Sequence, residues 1–146
     1  MSNLQSPRTP ITDELLSMAT SARQIFVNLL KISGHTGTTE GSCQYATITT
    51  ALMFNKFTYF ECIPRGGDGI QDGGYFDAAG AGHGHYWLEV DTPEGRYVVD
   101  ITADQFGDAP VVIEPADGST KYVPGNQQLV EQHLNDVRAS IPSMGA

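Results

Sequence analysis

The spacing of apolar residues switches from a helical to a strand period partway along this chain. That switch restricts the fold to helices that lead into a sheet. Leu15, Met18, Ala22, Ile25, Phe26, Leu29 and Leu30 recur at three-and-four spacing, the mark of a helix with one buried stripe. Thr12 is placed to cap it, Asp13 and Glu14 suit its positive end, and Gly34 ends it. Residues 34–42 are turn formers. The segment 43–54, CQYATITTALMF, then reads as a second helix on its alanines, its length and the preceding Gly-Ser. Beyond it the pattern is mostly β. Residues 57–63, 84–90 and 96–101 read as strands, with 110–115 and 120–123 as shorter ones. Thr92-Pro93-Glu94-Gly95 has the residues of a type I turn, which makes 84–90 and 96–101 a hairpin. A last helix is expected over 126–139, with Leu129, Val130, His133, Leu134 and Val137 on one face. No internal repeat is visible.

A chain of 146 residues suits one domain with a core that needs no staple. Residues 1–10 are polar, hold two prolines and read as a loose arm, leaving 11–146 as the domain. Eight of the nineteen residues in 66–84 are glycine. Glycine loses much entropy on ordering, so this stretch reads as mobile, either a long hairpin loop or a lid over a site.

Eight basic against 17 acidic residues leave a net charge of −9, which repels phosphate backbones and anionic membranes. Neither nucleic acid nor a membrane is expected as a partner. Two cysteines do not make a disulfide scaffold and point to free thiols in a reducing compartment. There is no basic-then-apolar leader and no run of 18 apolar residues, so the protein is expected to be cytoplasmic where it is made.

Three residues carry the chemistry. Cys43 follows Gly41-Ser42 at the start of the second helix, where unpaired N–H groups and the helix dipole favour a thiolate and can face an oxyanion. A lone cysteine is as well explained as a small core residue. In His85-Tyr86-Trp87-Leu88-Glu89-Val90, alternation puts Tyr86, Leu88 and Val90 on a core face and His85, Trp87 and Glu89 on the other. A helix packed on that second face can meet the histidine. Asp100 interrupts an apolar strand, a costly place for a carboxylate without a partner. A four-residue loop sets His85 opposite Asp100, with Cβ atoms roughly 5 Å apart. A two-residue loop, Pro93-Glu94, sets Asp100 opposite Trp87 and diagonal to His85. A one-residue slip puts His85 and Asp100 on opposite faces. Two of these three registers pair the imidazole with the carboxylate, which fixes the tautomer and frees the other ring nitrogen to take a thiol proton.

This arrangement resembles the transglutaminase-like branch of the papain-like cysteine protease superfamily, in its small bacterial and phage members. The matching residues are Gly41-Ser42-Cys43, His85-Tyr86-Trp87-Leu88-Glu89-Val90 and Val99-Asp100-Ile101-Thr102, with similar gaps between them. The stretch 100–106 is similar too. The resemblance covers about residues 41–106. It implies an α+β fold in which N-terminal helices, one bearing the cysteine, pack on an antiparallel sheet, and it implies a Cys43-His85-Asp100 triad. The reaction it implies is nucleophilic attack on an acyl or amide carbon of a protein or peptide, through an acyl-enzyme and without a cofactor. Water as acceptor gives a peptidase, amidase or protein-glutamine deamidase; an amine gives a transglutaminase or acyltransferase. Water is favoured, because nothing marks a second-substrate site. The rival reading is a protein-binding module, such as a phage-encoded inhibitor, that keeps the fold as a scaffold.

Gln44 and Gln105 are candidate oxyanion donors, though either side chain suits a structural role better, and Trp87 is a candidate wall of the site. Cys62, beside Phe60 in a strand, reads as core. Cys43, His83, His85 and Asp100 have the chemistry of metal ligands but no metal-motif spacing. Asp68, Asp72 and Asp77 do not fit a calcium loop, and residues 80–84 lack a full nucleotide-binding motif. His35 has no assigned role, and His133 reads as structural.

Overall fold

The computed structural model describes residues 8–34 and 42–140. The first helix, α1 (Pro10–Ile32), starts earlier than expected. Thr9, not Thr12, is its cap: Thr9 Oγ1 accepts from Thr12 N at 3.1 Å, and Thr12 Oγ1 accepts from Thr9 N at 2.7 Å. Pro10 has no N–H to lose and a φ suited to a first turn, which is why the helix begins there. Thr9 and Pro10 therefore belong to the helix rather than to the arm, and residues 1–7 of the arm lie outside the described residues. Ser33 caps the C-terminal end, and Gly34 follows with φ +92°.

Helix α2 (Cys43–Phe57) begins where expected and runs three residues past Phe54. The strand read at 57–63 is displaced accordingly to β1 (Glu61–Gly67), because Asn55, Lys56 and Phe57 continue the helix. Next come β2 (Gly74–Phe76), β3 (Gly82–His83), β4 (His85–Thr92) and β5 (Gly95–Asp100). A 3₁₀ turn (Ala103–Phe106), β6 (Val112–Pro115), β7 (Tyr122–Val123) and α3 (Gln127–Ser140) complete the chain.

The fold is α+β. An antiparallel sheet of order β1-β4-β5-β6 forms one layer, and a small sheet of order β3-β2-β7 forms another. Leu88 and Val90 of β4 pack with Leu15, Ala22 and Phe26 of α1 and with Ala46 and Phe54 of α2. The opposite face of the main sheet carries Trp87 and Val98, which pack with Tyr75 of β2 and Tyr122 of β7. The helices thus cover the Leu88 face, and the His85 face is covered by the small sheet. This corrects the expectation of a helix on the histidine's face. Burying both faces is why Asp100 sits in a strand with little polar alternation.

The glycine-rich stretch is not one open loop. Gly67, Gly73 and Gly82 are needed for close backbone approach: a Cβ on each would come within 2.2, 2.2 and 2.1 Å of another backbone atom. Asp68 Oδ1 accepts three backbone N–H groups, from Ile70, Gln71 and Asp72, and Asp77 Oδ1 accepts from Ala79 and Ala81. These bonds fold the stretch into β2, β3 and tight turns. β7 pairs with β2 rather than with β6, its neighbour in sequence. Pro64 is tolerated because β1 is an edge strand. Gln127 of α3 covers that edge by donating to Pro64 O at 2.7 Å.

Candidate active site

The hairpin adopts the two-residue register. Thr92 pairs with Gly95 and Leu88 with Val99, which carries Asp100 across from Trp87 and diagonal to His85. The side chains meet: His85 Nε2 lies 2.8 Å from Asp100 Oδ2. Both residues are buried, at 0% and 2% exposure, so solvent cannot screen the pair. Asp100 Oδ1 accepts from Thr102 N at 2.9 Å and from Thr102 Oγ1 at 3.4 Å. Its Oδ2 also accepts from the Tyr122 hydroxyl at 2.7 Å. Four donors therefore hold the carboxylate and offset its desolvation.

Burial pushes the His85 pKa down, but the charge and hydrogen bond of Asp100, followed by the Cys43 side chain, push it up further, to about 9. Aromatic rings surround the imidazole. Phe106 and Tyr75 present edges at 5.0 and 5.9 Å, and Trp87 stacks at 6.1 Å. With Nε2 committed to Asp100, Nδ1 is the remaining ring nitrogen; it is buried and has no hydrogen-bond partner among the described residues.

Cys43, the first residue of α2, is half-buried beside this ring; its side chain raises the His85 pKa by hydrogen-bonding character and then by charge, although the contact falls short of a closed hydrogen bond to Nδ1. The helix packs on the Leu88 face, and His85 is the first residue of β4. The Ser42 side chain makes no cap hydrogen bond, and the first turn holds no acidic residue. The dipole at the thiol is therefore not offset by a nearby carboxylate of the helix itself. Cys62 differs. Burial pushes its thiol up to about 11, which keeps it protonated and unreactive near neutral pH.

The other expected site residues are divided. Gln44 neighbours Cys43 and interacts with the Tyr86 hydroxyl, so its side chain lies near the thiol. Gln105 donates its amide to Thr102 O at 3.0 Å and serves the turn after Asp100 rather than an oxyanion. Trp87 is 1% exposed and backs the imidazole, and its indole N–H has no partner among the described residues. Glu89, on the same face, is paired with Arg65 at 3.1 Å. His83 bonds to Asp77 at 2.8 Å and stacks on Phe106 at 4.5 Å, so it is engaged away from Asp100. His133 Nδ1 meets the Tyr86 hydroxyl at 2.7 Å, tying α3 to β4. His35 lies outside the described residues. Among those residues, no group of three or more His, Cys, Asp or Glu is placed to hold a metal, and no helix is long and apolar enough to cross a membrane.

Tyr122, Thr102, Tyr75 and Phe106 escaped sequence reasoning. Thr102 had a local signal, a hydroxyl two residues after a buried aspartate. The other three reach the site from other elements, and no spacing announces them. A cavity of about 600 Å³ is lined by Tyr75, Phe106, Asp77, Asp108 and Lys121 among others, but by none of Cys43, His85 and Asp100. Comparisons with protein-family models, with curated proteins and with solved structures found no match.

Proposed function

We propose that this chain is a cysteine hydrolase of papain-like, transglutaminase-like architecture, in which Cys43 is the nucleophile, His85 the base and Asp100 the group that orients the base. One observation carries the reading: a fully buried imidazole, locked by a carboxylate at 2.8 Å through Nε2, has no closed hydrogen bond at Nδ1 among the described residues and lies beside the helix-start thiol that acts on it. Buried polar atoms are rarely left unpaired without a use.

The steps balance on these groups. The Cys43 proton passes to His85 Nδ1 before substrate is attacked, because Asp100 favours the charged ring, and the resulting thiolate sulfur bonds to the substrate's carbonyl carbon. The imidazolium gives its proton to the leaving nitrogen as the C–N bond breaks, so an amine or ammonia departs and a thioester remains. Water then attacks the thioester, losing a proton to His85, and the C–S bond breaks to give a carboxylic acid and the thiol. N–H groups at the start of α2 are suited to hold the oxyanion in both halves. Asp100 holds the ring throughout and stabilises it in the steps where it is charged.

Labelling with iodoacetamide at neutral pH, followed by mass spectrometry, tests this. Cys43 is expected to react well ahead of Cys62, and His85→Ala to slow Cys43 by roughly tenfold or more, the change in thiolate fraction when an imidazolium partner is lost. Equal, slow labelling of both cysteines in the wild type sinks the enzyme and leaves the protein-binding scaffold.

A further inference from the structure

We propose that Tyr122 is a positioning residue for the candidate base: its hydroxyl donates 2.7 Å to Asp100 Oδ2, the same oxygen that holds His85 Nε2, and so sets how firmly the carboxylate grips the ring. The inference rests on His85 being the base, and it adds to that reading a residue from a different sheet.

The geometry leaves the hydroxyl little other use. Tyr122 is 2% exposed, and its ring is wedged edge-on between Tyr75 at 5.3 Å and Trp87 at 5.2 Å. Its backbone is fixed by pairing with Tyr75 and by donation from Tyr122 N to Ser119 Oγ at 3.0 Å. The hydroxyl is a permanent donor: burial, followed by the charge of Asp100, pushes its pKa well above the usual range. Removing it vacates the space of one oxygen in a dry aromatic setting, too little for a water to take over the bond.

The consequence has a sign. A donor on Oδ2 draws charge from the carboxylate, which weakens its hold on the imidazolium. Without that donor Asp100 grips the imidazolium harder, and His85 stays protonated to higher pH. The other groups that face the pair are unchanged by the loss: Cys43 from α2 and Tyr75 from the small sheet. Asp108 and Glu114 act on Tyr122 from further off, and the Lys121 ammonium lies 6.0 Å from its ring centre.

Tyr122→Phe keeps the ring and removes only the oxygen. Histidine NMR titration of the full chain reads His85 without requiring activity. The expected result is an upward shift of the His85 midpoint by about half to one pH unit, absent when the same change is made on Asp100→Asn. A folded Tyr122→Phe whose midpoint stays within about 0.2 unit of wild type overturns the proposal, as does an equal shift in the Asp100→Asn background. Should Tyr122→Phe not fold, difluorotyrosine at position 122 strengthens the donor and is expected to move the midpoint down; no movement overturns the proposal. Cys43 alkylation against pH in the same proteins separates the two claims. An alkylation limb that moves with the midpoint supports both. A midpoint that moves alone overturns the role of His85 as base and leaves Tyr122's hold on Asp100 standing.

Discussion

At the scale of single residues, the cost of burying charge decides the most. A histidine and an aspartate in strands covered on both faces persist because each satisfies the other and Thr102 and Tyr122 complete the carboxylate. This has a pH signature. The folded His85 titrates at about 9, above its ordinary value of 6.5. A raised pKa means that the folded state binds the proton more tightly, so the stabilisation is fully present below pH 6.5 and is lost as pH rises through about 9. Its size is on the order of 3 kcal/mol. Urea unfolding of wild type and His85→Ala at several pH values checks this: their difference in stability is expected to shrink between those limits. A difference that grows with pH contradicts the sign.

At the scale of elements, the glycine-rich stretch teaches the main lesson. Composition alone makes it look mobile, because glycine is costly to order. The same absence of a Cβ allows chain segments to touch, and here contact prevails. Gly82 and Gly80 separate the two roles. A Cβ on Gly82 meets Gly69 O at 2.1 Å, whereas Gly80 has φ +83° and open space around it. Gly82→Ala is expected to cost about 3 kcal/mol by overpacking, and Gly80→Ala about 1 kcal/mol through its backbone angle. Chemical denaturation of the two variants measures the contrast. Equal, small losses would mean that the small sheet is not held by these contacts. Because that sheet carries Tyr75 and Tyr122 to His85 and Asp100, Gly82→Ala should also raise amide exchange at Tyr75 and His83.

At the scale of the whole molecule, α1 is joined to the segment that follows Asp100. Arg23 grips Asp104 with two bonds of 2.9 Å and donates to Ile101 O at 2.8 Å. The pair is about four-fifths buried on the arginine side, so its charge-assisted bonds outweigh those of a surface pair. Arg23→Lys keeps the charge but loses the fork, and is expected to cost about 2 kcal/mol. A lower urea midpoint with an unchanged slope bears this out, whereas an unchanged midpoint shows that α1 docks by its apolar stripe alone.

The helices, the central hairpin and the Cys-His-Asp order were legible in the sequence because they follow from local regularities. Apolar period marks α1, alternation marks β4, and a carboxylate within an apolar strand announces a partner. The turn at Thr92-Pro93-Glu94-Gly95 then left only a choice of registers, two of which paired His85 with Asp100. Local signals failed where distant segments compete for the same space. They placed the cap at Thr12 rather than Thr9, stopped α2 at Phe54, and took residues 66–84 for one loop. Above all they could not show that the small sheet, and not a helix, covers His85, or that Tyr122 completes its carboxylate. Periodicity records which face of an element is buried; what buries it is settled only when the layers pack, since that choice depends on contacts between residues with no fixed separation along the chain.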